Sequence, residues 1–544
     1  MEVGKLVSNS VLLVAVVVVI INIFFSGGLV RADFFSAISE LENVLQMENE
    51  VAHDLRSYVK SEEARLQNLK KIADDFEKHS LEALVDPEKH LSNPINAYLL
   101  VKRFTKEWNE LLEQQIKSTS LSEFLKSLST KTSRFPTEDD LQGAAYALMR
   151  LQDTYALPSS KLVKGDLQGI QDSVHMTAQD CFMLGSIAYK GNDFYHTIIW
   201  MSEALRMSKD DPSIDNSTLL DYLAYSYYMQ GNTKKALNLT KEWLLIDPNH
   251  IRAQNNLRFY EQLILEQESR ARSRGEQQTH YDENSNPRPM DAYKLSSDFQ
   301  NYEKLCRGEK TQALYNEHLL TCQYRRHHPF LYINPIKEEQ VNWEPRMFLF
   351  HDVMTDGQIA RIKKIGKPKL GRSVVYHKSN SQVTTPQDYR ISKSGWLKDE
   401  DDRAVYKFSY MAGLLSNLTL DTVEDLQVLN YGIGGHYEPH YDFATSRELD
   451  TFEKAIGNRI ATFICYLSDV QAGGATVFPG IGVSFWPRKA KCAFWYNLMR
   501  SGEGDMRTRH AACPVLSGIK WACNKWFHER GQEFIRPCTL SPLE

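Results

Sequence analysis

The sequence predicts an α+β multidomain chain: two helical regions followed by a β-rich C-terminal domain folded as a double-stranded β-helix, or jelly roll. Three observations point there. Apolar residues repeat in heptads from Phe34 to Phe76, which is the periodicity of a helix that pairs along a seam. Helix-length segments separated by Gly191-Asn192 and Gly231-Asn232 recur between Thr177 and Tyr260, the pattern of stacked helical hairpins. Beyond Arg346 short apolar runs alternate with turn residues, at Ala461–Leu467, Thr476–Pro479, Gly482–Trp486 and Cys492–Tyr496. That rhythm belongs to strands.

At the N-terminus, Lys5 precedes an apolar run from Val11 to Phe25, and Val30-Arg-Ala32 follows. This reads as a secretory signal covering 1–32, cleaved after Ala32; the length of the run also suits a signal anchor. No later stretch reaches eighteen apolar residues, so no membrane span is expected in the mature chain. The 544 residues allow three or four domains. A net charge of −5 with mixed signs gives no reason to expect nucleic acid as a partner.

Residues 33–165 form the first helical region. One heptad row is Ile38, Leu45, Ala52, Val59, Leu66 and Ala73; the other is Leu41, Leu55, Leu69 and Phe76, broken by Glu48 and Glu62. A dimerising coiled coil and an amphipathic helix packed within its own domain both fit. Asn93-Pro94 interrupts, a helix follows through Trp108 to Ile116, and Asp140 sits in a capping-box position ahead of the next. Residues 172–266 are the helical repeats. There Tyr222 and Tyr225, three apart, share a helix face. With Phe194 or Tyr195 from the neighbouring helix they can line a groove for polyproline II chains, or they can be repeat core. Residues 267–300, with Ser269-Arg-Ala-Arg-Ser-Arg-Gly275 and Asn284-Ser-Asn-Pro-Arg-Pro289, read as a solvated linker, and 301–345 as a connecting segment.

The chemistry is concentrated in 346–544. Tyr431-Gly-Ile-Gly-Gly-His-Tyr-Glu-Pro-His440-Tyr-Asp442 sets His440 and Asp442 two apart, on one face of a strand. Arg509-His510-Ala-Ala-Cys513 supplies a second imidazole, and Lys520 follows ten residues later. Two imidazoles and one carboxylate with open positions suit non-haem Fe(II) that activates O2. Lys520 is a cation able to hold a carboxylate. His436 precedes this motif in a Gly-rich loop and is not assigned to the metal.

These phrases, together with Gly473-Gly-Ala-Thr476-Val-Phe-Pro479, Phe494-Trp-Tyr-Asn497, Ser501-Gly-Glu-Gly-Asp505 and Lys525-Trp-Phe-His528-Glu-Arg-Gly-Gln-Glu533, resemble the collagen prolyl 4-hydroxylase α subunit. The likeness covers nearly the whole chain and is strongest after Arg346. It implies an Fe(II) and 2-oxoglutarate-dependent dioxygenase that hydroxylates proline in Gly-X-Pro repeats while 2-oxoglutarate is decarboxylated to succinate, with O2 consumed and L-ascorbate as reductant. It implies His440, Asp442 and His510 as iron ligands and Lys520 on the distal carboxylate of 2-oxoglutarate. Tyr431, Thr476 and Trp526 become co-substrate neighbours, and Arg459 and His528 peptide contacts. In the helical repeats it favours peptide binding by Tyr222 and Tyr225, with Tyr195 as a further candidate. It further implies the endoplasmic reticulum lumen, an α2β2 tetramer with protein disulfide isomerase, and disulfides Cys306–Cys322 and Cys513–Cys538. Cys465 and Cys492, in apolar strands, read as buried free thiols. Asn216, Asn238 and Asn417 head glycosylation sequons. Two alternatives stay open: a related dioxygenase acting on another secreted proline-rich protein or on lysine, and a non-catalytic chaperone subunit that binds proline-rich peptides.

Overall fold

The structure, a computed structural model, describes residues 38–109, 111, 138–170, 175–209, 213–274, 284–313, 316–373, 390–432, 434–445 and 455–541. The expected signal segment lies outside them. Contacts divide the chain into two compact units meeting at Leu81/Glu82.

Helix α1, Ile38–Val85, makes up the described part of the first unit and continues past Leu81. Heptad side chains before Leu66 lie outside the described residues. Further on, Leu69, Ile72, Phe76, His79 and Ala83 are half-buried, at alternating spacings of three and four. Leu66 is 56% exposed and Ala73 is also exposed. The covered stripe therefore follows the second predicted row, with Ile72 and His79 in place of the first. No described helix is long and apolar enough to cross a membrane.

The second unit opens with α2 (Pro94–Lys102) and α3 (Glu138–Tyr155). The repeats follow as α4 (Ala178–Lys190), α5 (Phe194–Met207), α6 (Asn216–Met229), α7 (Thr233–Ile246) and α8 (Ile251–Arg274). Each start has a local cause. Thr177 and Asp180 form a capping box on α4, and Asp193, Asp215 and Asn232 accept backbone N–H groups at the starts of α5, α6 and α7. At Gly185 α4 and α5 touch: a Cβ there would lie 2.9 Å from Met201 Cγ. Trp200, Met201, Leu219, Leu223, Ala236 and Trp243 fill the core between the hairpins.

The segment read as a linker is not a free tether. Its first residues continue α8 to Arg274. Further on Asn286 donates to the Tyr195 carbonyl at 3.0 Å, and Arg288 bridges Asp153 (2.9 Å) and Glu303 (2.8 Å). Helix α9, Ser297–Cys306, then runs into the β domain.

That domain has a nine-stranded sheet in the order β1-β2-β3-β12-β8-β15-β6-β5-β4 and a four-stranded sheet β11-β10-β13-β7, with β14 and β9 paired separately. The strands are β1 Cys322–Arg325, β2 Ile336–Asn342, β3 Met347–His351, β4 Gly371–Arg372, β5 Lys393–Leu397, β6 Leu426–Asn430, β7 Tyr437–His440, β8 Arg459–Tyr466, β9 Ala472–Gly473, β10 Thr476–Phe478, β11 Val483–Phe485, β12 Cys492–Tyr496, β13 His510–Ala512, β14 Val515–Ser517 and β15 Trp521–His528. Phe478, Phe485, Tyr466 and Trp495 pack together between the two larger sheets, as a jelly roll requires. The outer face of the large sheet is covered by helices Asp356–Gly366 and Arg403–Ser416. Ala475, Val477 and Ala511, from the four-stranded sheet and its edge, and Leu516 of β14 join the core of the helical repeats.

The disulfides differ from those the resemblance implies. Cys306, at the end of α9, is joined to Cys513, just beyond β13, with Cα atoms 5.5 Å apart. The path of α9 across the small sheet brings these two buried residues together. Cys322 lies on the exposed edge strand β1 and Cys538 near the C-terminus, both free and exposed. Cys465 and Cys492, expected as free thiols, are cross-strand partners on β8 and β12 and are bonded to each other.

Candidate active site

The antiparallel pairing of β7 with β13 sets His440 directly opposite His510, with ring centroids 4.4 Å apart. Asp442 follows at the end of β7. One ligand atom from each of the three lies within 4.8 Å of the other two. His436 is buried but is no member of this group.

Both imidazoles are held from behind. His440 Nδ1 donates to the Glu438 carbonyl at 2.7 Å, and His510 Nδ1 to the Thr508 carbonyl at 3.0 Å. Each Nε2 therefore points at Asp442, at 3.7 and 3.6 Å. Thr462 donates to Asp442 Oδ2 at 2.7 Å. Tyr437 stacks on His440 at 3.6 Å, and the Arg390 guanidinium covers Tyr437. Burial alone would raise the Asp442 carboxyl, but His510 and His440 hold it far below the usual carboxylate range. Burial pushes His510 down to about 4. The three groups thus present one carboxylate and two imidazole nitrogens inward, a donor set that suits a divalent cation.

Lys520 is 1% exposed, and its Nζ has no hydrogen-bond partner among the described residues. It faces the rings of Tyr431 (4.6 Å) and Tyr466 (5.8 Å). Burial pushes it down to about 7. A buried ammonium without an anion is costly, so this site is shaped for a negatively charged ligand. Tyr431 donates its backbone N–H to the Lys520 carbonyl, and burial raises its hydroxyl to about 12. Thr476 accepts from the Tyr466 hydroxyl at 2.8 Å.

Trp526 has different company. The Arg459 guanidinium lies 3.9 Å over its ring and Trp396 lies 6.1 Å away. Arg459 also forms a two-pronged bond to Glu424, at 2.5 and 2.9 Å, while His528 reaches the same carboxylate at 2.9 Å. His528 is fully buried. Burial opposes ionisation of Glu424, yet His528 and Arg459 lower its pKa overall. Glu424, Tyr466, Arg390 and Tyr437 were not singled out from the sequence. Glu424 stands alone in Asp421-Thr-Val-Glu-Asp425 and joins the site only through sheet pairing.

In the helical repeats, Tyr189 is the hub of a half-buried aromatic face. Its ring lies 4.7 Å from Tyr222, 5.8 Å from Tyr225 and 5.8 Å from Phe194. Tyr228 and Phe259 extend the row. Tyr195 has no ring contact with it. It packs on His196 and its carbonyl accepts from Asn286. Neighbouring helical residues point about 100° apart, so Phe194 takes the face and Tyr195 leaves it.

Comparison with known proteins fits this geometry. Residues 37–169 match the model of the prolyl 4-hydroxylase α-subunit N-terminal region. Residues 178–267 match the prolyl 4-hydroxylase peptide-substrate-binding domain, and 426–528 the 2OG-Fe(II) oxygenase superfamily. The human prolyl 4-hydroxylase subunit alpha-1 is 42% identical over 534 residues, covering 97% of this chain and 99% of the relative. The chain belongs to the prolyl 4-hydroxylase α-subunit family. The chicken subunit alpha-2 is 42% identical over 94% of this chain and 96% of its own length, and the Caenorhabditis elegans subunit alpha-1 is 41% identical over 94% and 92%. As a member of this family the chain is a 2-oxoglutarate-dependent Fe(II) oxygenase. The donor set of His440, Asp442 and His510 suits the iron, and the unpaired Lys520 ammonium suits an acid such as 2-oxoglutarate.

Proposed function

We propose that this prolyl 4-hydroxylase α subunit hydroxylates prolines in Gly-X-Pro repeats of collagen-like chains, with 2-oxoglutarate decarboxylated to succinate. The observation that carries the reading is the His440–Asp442–His510 group in one fold with a buried lysine that has no hydrogen-bond partner among the described residues. His440, Asp442 and His510 would hold Fe(II). Bound iron would supply O2 activation. Lys520 takes the far carboxylate of 2-oxoglutarate, with Tyr431 and Thr476 beside it. Glu424 holds Arg459 and His528 in fixed orientations, which suits the half-buried Arg459 to meet the peptide while the fully buried His528 steadies Glu424 behind it; Trp526 serves that end of the pocket. The aromatic interior excludes water around the reacting carbon.

In the repeats, Tyr222 and Tyr225 take a proline-rich segment on the Tyr189 face. A polyproline II helix is already ordered, so ring-to-ring packing costs little entropy. The resemblance further supports residence in the endoplasmic reticulum lumen, ascorbate as reductant, and assembly with protein disulfide isomerase as an α2β2 tetramer. Asn216, Asn238 and Asn417 are all exposed, as glycan attachment demands.

The test is succinate release by the chain co-expressed with protein disulfide isomerase and supplied with a Pro-Pro-Gly repeat. Release that needs both iron and peptide is expected. A folded, partner-bound preparation that releases none would leave only a peptide-holding subunit.

A further inference from the structure

Helix α3 turns one face toward the C-terminal domain. Ala147, Leu151 and Tyr155 stand four apart on it and so share that face; all three are buried. The face meets three segments, each leading to a residue of the 2-oxoglutarate site. The first is the loop after Tyr431, where a Cβ on Gly434 would lie 3.0 Å from the Ala147 carbonyl oxygen and 3.3 Å from Leu151 Cγ. The second is the Gly473-Gly474 turn, which leads to Thr476. The third is the stretch from Cys513 that leads to Lys520. The last two cross at one point, and Tyr155 is there. Its hydroxyl donates to the Pro514 carbonyl at 2.5 Å, and the Gly474 N–H donates to the same oxygen at 3.0 Å. Burial pushes the Tyr155 hydroxyl well above its usual value, so it remains a donor throughout the working pH range.

The crossing leaves no room for a side chain. A Cβ on Gly473 would lie 2.6 Å from both the Tyr155 hydroxyl oxygen and the Pro514 carbonyl oxygen, and Gly473 and Gly474 both have left-handed backbones, with φ +76° and +69°. A Cβ on Gly474 would lie 3.4 Å from Lys520 Cδ, so the turn runs along the lysine stem. Past the crossing, the Val515 N–H donates to the Gly435 carbonyl at 3.1 Å and the Gly518 N–H to the Ser92 carbonyl at 2.9 Å. Leu516 sits in the core of the helical repeats. The segment that ends in Lys520 is therefore seated on helices as well as on its own strands. A lysine has a flexible four-carbon stem. It meets a carboxylate in one place only where the walls along that stem are fixed.

We propose that Tyr155 is a positioning residue for 2-oxoglutarate: it locks the crossing of Gly473-Gly474 with Pro514 and thereby fixes where Lys520 meets the far carboxylate. The proposal rests on the reading that Lys520 takes that carboxylate. It makes α3, which lies in the stretch matched to the N-terminal region of the family, a wall of the co-substrate site.

The test uses the full chain, prepared as for the succinate assay. Tyr155→Phe keeps the ring and removes the hydroxyl. The KM for 2-oxoglutarate, and its dissociation constant by calorimetry on the Fe(II)-loaded chain without O2, should rise about three- to tenfold, the worth of one buried hydrogen bond. The turnover number at saturating 2-oxoglutarate and the KM for peptide should hold within about twofold. The probe that separates positioning from general support is 2-oxovalerate, which keeps the 2-oxo acid end and lacks the far carboxylate. It should bind the wild type and Tyr155→Phe equally. Tyr155→Phe should also add nothing on top of Lys520→Met. As a control, Thr240→Val removes a buried hydroxyl that donates to the Ala236 carbonyl at 2.8 Å within α7, and should leave both affinities unchanged. A second measurement needs no variant: on the wild type, 2-oxoglutarate but not 2-oxovalerate should slow amide exchange over 470–476, 513–521 and the last turn of α3. Protection that stops short of α3 would count against the proposal. Wild-type affinity in Tyr155→Phe, with Lys520→Met weakened, would overturn the Tyr155 assignment and leave the Lys520 reading standing. Equal losses for the two acids would overturn it as well, since the hydroxyl would then support the fold alone. A Lys520→Met chain that binds 2-oxoglutarate as the wild type does would overturn both.

Discussion

The iron pocket and the aromatic groove are built from similar side chains by opposite means. In the pocket, strand register sets His440 against His510, and both imidazoles are held from behind by backbone carbonyls. In the groove, helix periodicity lines up Tyr189, Tyr222, Tyr225 and Phe194, and the rings stay half-exposed. The pocket has strongly shifted ionisable groups; Tyr222 and Tyr225 instead offer flat faces. The difference teaches that one region is specialised for chemistry and the other for holding a chain. Damage to the first should remove turnover, and damage to the second should only weaken capture.

The largest effect follows from His440→Ala. Turnover should fall to background while proline-rich peptide binding to the groove stays unchanged by calorimetry. Thr462→Val is gentler. It removes the hydroxyl that orients Asp442 and should cost roughly 10–100-fold in iron affinity, the scale of losing a supporting hydrogen bond behind a ligand. If Thr462→Val matched His440→Ala, the hydroxyl would be doing more than orienting.

Lys520→Met should raise the KM for 2-oxoglutarate by about 10–100-fold, the worth of one buried charge-assisted contact. The wild type should show a pH signature. The free lysine sits near 7, so below that pH it is already charged and binds the dianion directly. Above it, each binding event must take up a proton. Affinity for 2-oxoglutarate should therefore fall as pH rises, by up to about tenfold per unit, and the slope should vanish in Lys520→Met. A flat wild-type profile between about pH 7 and about pH 9 would mean the lysine is charged throughout.

These residues could be found in the sequence because their signals are local. His440 and Asp442 are two apart, at the end of β7 and just past it, and His510 and Lys520 lie within one short stretch. Tyr222 and Tyr225 are three apart on a helix for the same reason. Glu424 had no such neighbour: it meets Arg459 and His528 only after β6, β8 and β15 pair side by side. Tyr466 reaches Thr476 across the interior between two sheets, which no spacing announces. The disulfides were illegible for the same reason. Eight cysteines allow many pairings, and Cys306–Cys513 depends on where α9 crosses the small sheet, 207 residues away in sequence. Composition reports only the polarity of 267–300; it does not show that Arg288 is held by specific carboxylates.

In the groove, Tyr222→Ala/Tyr225→Ala should weaken proline-rich peptide binding by roughly tenfold or more, from about 0.5–1.5 kcal/mol per aromatic contact beyond lost area. The turnover number on saturating short peptide should hold. The smallest effect is expected next door. Tyr195→Ala removes a ring of similar size from the same helix as Phe194, yet one that faces His196 and the docked 284–296 segment. Peptide affinity should stay within about twofold of wild type, because a helix turns about 100° per residue and carries this ring off the binding face. Thermal stability should fall instead, since Tyr195 is half-buried between α5 and that segment. If affinity fell as far as in the Tyr222/Tyr225 pair, the peptide would have to wrap past Phe194 onto the neighbouring face. The groove would then be wider than the Tyr189-centred row of rings.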